Sequence, residues 1–210
     1  MRDIVDSAIN LTRELVRIPS ESPDSIGSFS SPEAGVAAVL QRVCADHDIA
    51  WHRQEVLPNR YNFLASFPTP GAPKILFLAH MDTVSAKGMA TPFSGERKDN
   101  KIWGRGACDD KGSLATVLAV LVGLKKKGLP LRYDITLAAT VDEESSMAGA
   151  AMLAKKNPSG WDVCVAMEPT LLQPVSAHRG VYRCRIVVLK DSKFPVLDIM
   201  GDLKIFQRSL

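Results

Sequence analysis

A chain of 210 residues is long enough for one sizeable domain, or for one domain and part of another. Its formal net charge of +3 is too small to indicate a nucleic acid or an anionic membrane as a partner. The first residues lack the apolar core of a signal peptide, and no segment is apolar over the length that crosses a bilayer. The composition therefore predicts a cytoplasmic globular protein that binds neither nucleic acid nor membrane.

Two helices and two strands are predicted in the first part of the chain. Apolar residues recur at steps of three and four over residues 4–18, and a second helix is predicted to follow an N-cap at Ser31. Strands are predicted at residues 61–67 and 74–79. The second of these is nearly all apolar, which is typical of a strand covered on both faces.

Helices and strands alternate in the following part. The pattern predicts a buried helix at residues 112–124, a strand at 133–140, a helix at 146–155 and a strand at 162–167. This alternation predicts an α/β fold, namely a layered α/β/α domain with a mostly parallel central sheet.

Acidic or imidazole side chains follow three of the predicted strands directly, and a further acidic pair precedes the helix at residues 112–124. In chain order these residues are His80, Asp82, Asp109, Asp110, Glu143, Glu144 and Glu168. In open α/β sheets, sites form beyond the carboxyl ends of the strands, where several loops converge. We therefore expect these side chains to form one cluster.

One imidazole and several carboxylates suit a divalent ion, and zinc accepts both nitrogen and oxygen ligands. So many acids would repel one another without a cation. Asp82, two residues after His80 in an extended segment, either orients the imidazole through its second nitrogen or caps a turn. Of the neighbours Glu143 and Glu144, one can bind metal while the other moves protons, and the residue pattern leaves open which does which.

Four segments together carry a family resemblance: AHMDTV, GRGACDDKGSLA, TVDEESS and MEPT. In this order and at these intervals they resemble the two-zinc amidohydrolases and exopeptidases. That family includes acetylornithine deacetylase, succinyl-diaminopimelate desuccinylase, aminoacylase and glutamate carboxypeptidase. The resemblance extends over roughly residues 1–188.

The resemblance implies two zinc ions, for which cobalt can substitute. It implies that His80 and Glu168 bind one zinc, that Glu144 binds the second, and that Asp109 bridges both. In the family the bridging aspartate is the first acid of an Asp-x-Lys-Gly motif. The following Asp110 is therefore expected to fix the loop or the start of the next helix.

Two further residues receive catalytic roles from the resemblance. Glu143 matches the general base, and Asp82 matches the partner that orients His80. The implied function is hydrolysis of the amide bond of an N-acyl amino acid or small peptide by metal-activated water, most like acetylornithine deacetylase. Desuccinylase and carboxypeptidase activities of the same family are the alternatives.

Family members are longer, which implies boundaries in this chain. Residues 1–177 match the N-terminal part of the catalytic domain, residues 178–188 the start of a lid that mediates homodimerisation in complete relatives, and residues 189–210 a divergent tail. The family's second zinc takes a histidine near the C-terminus, and no histidine follows His178. We therefore expect a truncated chain that holds one zinc. The alternative is a catalytically silent fragment that binds metal or a partner.

Overall fold

A computed structural model describes residues 1–22, 31–128 and 131–177. The helices in these ranges are α1 (Arg2–Val16), α2 (Ala34–Asp46), α3 (Lys111–Lys127) and α4 (Ala148–Lys156). The strands are β1 (Ala50–Leu57), β2 (Arg60–Phe67), β3 (Lys74–His80), β4 (Glu96–Lys98), β5 (Lys101–Trp103), β6 (Asp134–Thr140) and β7 (Val163–Ala166). None of these four helices has the length and apolar character needed to cross a membrane.

The chain divides into two compact units, Met1–Pro169 and Thr170–Leu210, and every helix and strand named above belongs to the first. The predicted lid segment, residues 178–188, and the predicted tail, residues 189–210, lie outside the described residues. Dimerisation through the lid therefore stays a prediction.

The central sheet has five strands in the order β1-β2-β6-β3-β7. β3 pairs in parallel with β6 and β7, whereas β2 pairs antiparallel with β1 and β6. The α/β class is confirmed, and the sheet is mixed. A tight turn joins β1 to β2, and such a connection permits only antiparallel pairing, whereas α3 and α4 supply the crossovers that parallel strands need.

Helices cover both faces of the sheet. Side chains of β2 alternate between the faces: Phe63 and Ala65 belong to the core that α1, α2 and α3 form, and Leu64 packs in a smaller cluster with Leu153 of α4. Leu15 and other core leucines are fully buried, and each such side chain contributes about 1.5–3 kcal/mol through its removal from water. The predicted layered arrangement is thus present in the described ranges.

Most predicted elements lie within a few residues of those observed, with two differences. Helix α2 begins after Glu33, and the carbonyl of Ser31 accepts the backbone N–H of Ala34, so Ser31 precedes the helix without capping it through its side chain. The sequence pattern also missed β1 and the β4–β5 hairpin. β1 lies at the sheet edge with many exposed polar side chains, which removes the alternation that marks a half-buried strand.

Three parallel strands bring the predicted site together. Since β3, β6 and β7 run in the same direction, their carboxyl ends share one edge of the sheet. The start of α3 is fixed near the end of α1, because the buried Lys111 donates a 2.7 Å hydrogen bond from Nζ to the carbonyl of Ile18.

Candidate metal centre

His80 is the last residue of β3 and is only 2% exposed. Its Nδ1 lies 2.9 Å from the carbonyl oxygen of Asp82 and 3.5 Å from the Asp82 carboxylate. Its Nε2 lies 2.8 Å from Oδ1 of Asp109. A carbonyl oxygen only accepts hydrogen bonds, so Nδ1 carries a proton, and Nε2, which faces Asp109, is the nitrogen that could bind metal after losing its own proton. Asp82 is in the expected place, but its nearer contact with the ring is through the backbone.

The Asp82 carboxylate connects the end of β3 to the turn after β6. Oδ1 accepts the backbone N–H of Glu143 and Oδ2 that of Glu144, each over 3.1 Å. The hydroxyl of Ser22 also donates to Oδ2. Burial by itself raises the pKa of Asp82, but hydrogen bonds from His80 and Ser22 outweigh it and hold this pKa below its usual range. Asp82 is therefore an ionised anchor for the two glutamates.

Two sets of side chains in the described part of the chain can each surround one ion. The first set is His80, Asp109 and Glu144, and the second is His80, Asp110 and Glu168. Within each set the candidate ligand atoms all lie within 4.8 Å of one another. Both sets use the same imidazole, so two ions cannot each have a histidine of their own from these residues.

Asp110 has a different environment from the one that the sequence suggests. Its side chain is buried and grouped with Glu168, whereas the Asp109 side chain is 48% exposed. Asp110 Oδ2 accepts the backbone N–H of His80 over 3.4 Å, and Oδ1 is buried without a hydrogen-bond partner among the described residues. Sequence reasoning missed this inward orientation, since two adjacent aspartates in a loop give no signal of which one is buried.

Burial is the main cause that raises the pKa values of the acids, and crowding of negative charge adds to it. Burial, and to a smaller extent the charge of Glu168, raises the pKa of Asp110 to about 7. Burial followed by the charges of neighbouring acids also raises the pKa values of Glu143, Glu144 and Glu168. A divalent cation would neutralise this repulsion, and a donor set of one imidazole and several carboxylates fits zinc or cobalt.

The imidazole of the site responds to the same acids. Burial lowers the pKa of His80, but hydrogen bonds to Asp109 and Asp82 and the surrounding negative charge raise it to about 11. The hydrogen bond from His80 is the main cause that lowers the pKa of Asp109, and the charge of Arg105 adds to the effect. Arg105 was not among the predicted site residues.

The two adjacent glutamates occupy different positions. Glu144 belongs to a ligand set, and its carboxylate also accepts the backbone N–H of Val84 over 3.3 Å. Glu143 belongs to neither set, although its Oε2 lies 3.9 Å from Nε2 of His80. This geometry favours Glu144 as the ligand and Glu143 as the group that is free to move protons.

Comparison with known proteins identifies the family. The model of peptidase family M20/M25/M40 matches residues 76–202. The chain belongs to this family. It is 32% identical over 187 residues to an acetylornithine deacetylase of Edwardsiella ictaluri and 34% identical over 187 residues to one of Salmonella typhimurium. Each alignment covers 86% of this chain and 47% of the relative, so the chain spans about half the length of these curated M20 relatives.

Solved structures share the M20 fold. Human carnosine dipeptidase 1 has a TM-score of 0.66 and 22% identity, with 77% of this chain and 38% of the dipeptidase covered. A tripeptidase of Staphylococcus aureus has a TM-score of 0.60 and 26% identity, with 78% and 43% covered. An M20 metallo-carboxypeptidase of Sulfolobus solfataricus has a TM-score of 0.63 and 18% identity, with 77% and 37% covered. The first and third establish fold similarity alone.

Proposed function

We propose that this chain provides the metal centre of a hydrolase that cleaves the amide bond of N-acyl amino acids, of the acetylornithine deacetylase kind. The observation that carries the proposal is the position of Glu143 at 3.9 Å from His80 Nε2, beside a set of side chains that can bind metal. The curated relatives named acetylornithine deacetylase support the choice of substrate class. Desuccinylase and carboxypeptidase activities are the nearest alternatives.

His80, Asp109, Glu144 and Glu168 are the proposed metal ligands. The ion is zinc, with cobalt as a substitute, because these are borderline metals that accept mixed nitrogen and oxygen ligands. When bound, such an ion polarises a carbonyl and acidifies water. Asp110, which the structure groups with Glu168, is adjacent to this ligand set and is left as a supporting residue in the proposal.

Glu143 is the proposed general base. Burial, followed by the charges of nearby acids, raises its pKa, which suits a carboxylate that must accept a proton and return it. In the proposed reaction Glu143 takes a proton from water while the water oxygen bonds to the amide carbon. The protonated carboxyl group of Glu143 then delivers this proton to the amine nitrogen as the carbon–nitrogen bond breaks. The products are a free carboxylic acid and the amino acid.

A second candidate function is metal binding without turnover. It is favoured by the sharing of His80 between the two ligand sets of the described residues, which leaves one ion with carboxylates alone. An ion held in this way binds weakly, and a single ion supplies less stabilisation of the transition state than a pair does. We therefore expect slow turnover from this chain by itself.

The test is a paired measurement of zinc binding and hydrolysis on the 210-residue chain. N-acetylornithine, N-succinyl-diaminopimelate and a dipeptide are offered in turn, and Glu143→Gln is compared with Glu55→Gln, which changes an exposed glutamate of β1. Release of acetate that disappears only in Glu143→Gln supports the deacetylase proposal. Zinc binding without any turnover supports the second candidate, and a chain that binds no zinc contradicts both.

A further inference from the structure

A network of buried charges lies behind the turn that carries the two glutamates. Arg60, Glu33 and Asp142 are 3%, 1% and 4% exposed. Arg60 donates from Nε to Glu33 Oε2 over 3.1 Å and from Nη1 to Asp142 Oδ1 over 2.7 Å, and Nη2 also donates to Glu33. The guanidinium is thus occupied on two sides by carboxylates.

Asp142 transmits this network to the site because it directly precedes Glu143. Its backbone N–H donates to Glu33 Oε1 over 3.3 Å, and its carboxylate accepts the hydroxyl of Ser146. Its φ is +65°, in the left-handed region that a residue other than glycine seldom adopts. Such a conformation persists only where the surrounding structure holds it.

The turn is held from its other side by Asp82. That carboxylate binds the backbone N–H groups of Glu143 and Glu144, while Glu33 and Arg60 bind the backbone and side chain of Asp142. Three consecutive residues of the turn are therefore fixed by buried carboxylates that come from different parts of the chain.

Buried ion networks are a poor means of stabilising a fold, because removal of the charges from water offsets much of their attraction. What such a network does supply is orientation. An arginine that donates several hydrogen bonds in a fixed plane determines where its acceptors lie. A role in placing the turn thus accounts for the network better than stability does.

We propose that Glu33, Arg60 and Asp142 are positioning residues that hold Glu143 and Glu144 in the geometry of the metal centre. The effect on metal binding and catalysis rests on the proposed function, in which Glu143 is the base and Glu144 a ligand. The three residues act through the turn, and their removal displaces the two carboxylates without removing any ligand.

The test compares the 210-residue chain with a triple variant, Glu33→Leu with Arg60→Met and Asp142→Asn. The triple variant removes the charges together, so that no buried charge is left without a partner. Asparagine tolerates positive φ, which keeps strain at residue 142 from confusing the result. Arg60→Lys, which keeps the charge but loses the planar set of donors, is the conservative variant.

Leu121→Ala is the matched control for loss of stability. Leu121 is buried in α3, ten residues or about 15 Å along the helix from Lys111. Each variant is characterised by its thermal midpoint in EDTA, by hydrogen exchange of the backbone N–H groups of Glu143 and Glu144 in EDTA, and by its zinc affinity. The exchange measurement reports on the turn without any metal.

We expect the triple variant to lose protection of both N–H groups and to bind zinc about 10–100-fold more weakly, with a smaller loss in Arg60→Lys. Leu121→Ala should leave both the protection and the zinc affinity unchanged, even if its thermal midpoint falls as far as that of the triple variant. If the triple variant keeps the protection and the zinc affinity of the parent chain, the network only supports the fold and the inference is wrong. If the parent binds no zinc, the proposed function fails, whereas the exchange rates still decide whether the network holds the turn.

Discussion

The carboxylate of Asp82 accepts a 3.1 Å hydrogen bond from the backbone N–H of Glu143, across 61 residues of sequence. Through this bond the strand end that carries the imidazole also fixes the turn that carries the acids. The hydrogen bond thus joins the AHMDTV segment to the TVDEESS segment, and a substitution at Asp82 should change the position of Glu143.

The first prediction concerns this connection. Asp82→Asn replaces one carboxylate oxygen with an NH2 group, which cannot accept a backbone N–H, so either Glu143 or Glu144 loses its hydrogen bond and the turn should shift away from the metal ligands. We expect zinc affinity to fall about 10–100-fold, as is typical when a partner of the ligands is changed. Competition with a chromophoric chelator measures it. Asp99→Asn, at an exposed turn, serves as the control, and equal affinities in the two variants would show that Asp82 does not orient the site.

The second prediction separates the two adjacent glutamates. Glu144→Gln should weaken zinc binding strongly, since Glu144 belongs to a ligand set, whereas Glu143→Gln should leave zinc affinity nearly unchanged. If the parent chain hydrolyses substrate, Glu143→Gln should reduce the rate about 100–10,000-fold, because it removes the proposed base. Zinc titration and the acetate-release assay test both halves. If Glu143→Gln weakens zinc binding and Glu144→Gln does not, then Glu143 is the ligand and Glu144 the base.

The third prediction is that zinc stabilises the fold. At a free zinc concentration of about 100 times Kd, binding adds about 2.7 kcal/mol to the free energy of unfolding, which corresponds to a rise of about 5–10 °C in Tm. The crowded acids of the site should make the metal-free chain the less stable form. Thermal denaturation monitored by circular dichroism tests this. EDTA should abolish the shift, and His80→Ala should show none; a shift of equal size in His80→Ala would place the metal elsewhere.

The fourth prediction concerns Gly149, in the first turn of α4. A Cβ at this position would lie 2.4 Å from the carbonyl oxygen of Val141 and 2.6 Å from Oδ1 of Asn62. Both neighbours are buried and hydrogen-bonded, so they cannot yield easily. Gly149→Ala should therefore destabilise the protein by about 1–3 kcal/mol. Denaturation in urea measures the change.

The control for this prediction is Ala151→Ser on the exposed face of the same helix, which should stay within about 0.5 kcal/mol of the parent. If Gly149→Ala is as stable as this control, the close packing of α4 against the end of β6 is not as described.

The sequence predicted most of the helices and strands because the core segments have strong periodicity. The apolar run of β3 and the Leu-rich and Val-rich α3 are examples. It missed β1, whose exposed charged side chains hide the pattern, and it could not reveal that the sheet is mixed. That property depends on which strands become neighbours, and only the two-residue connection between β1 and β2 hints at it.

The candidate site was predictable to a similar degree. Three motifs at strand ends and one at the start of α3 identify the acids and the imidazole, and the structure brings them to one edge of the sheet. The burial of Asp110 and the contact between Ser22 and Asp82 were not predictable, because both depend on how loops fold over the strand ends. The contacts of Arg60 were equally hidden, since its partners Glu33 and Asp142 lie 27 and 82 residues away in sequence.

The number of zinc ions retained by the chain after exhaustive dialysis tests the proposed metal centre most directly. Because both ligand sets share His80, we expect about one tightly bound zinc per chain, and none in His80→Ala. Elemental analysis of the two proteins at matched concentration gives the answer. A parent chain that retains no zinc, or a His80→Ala variant that retains as much as the parent, would contradict the assignment of the centre to these strand ends.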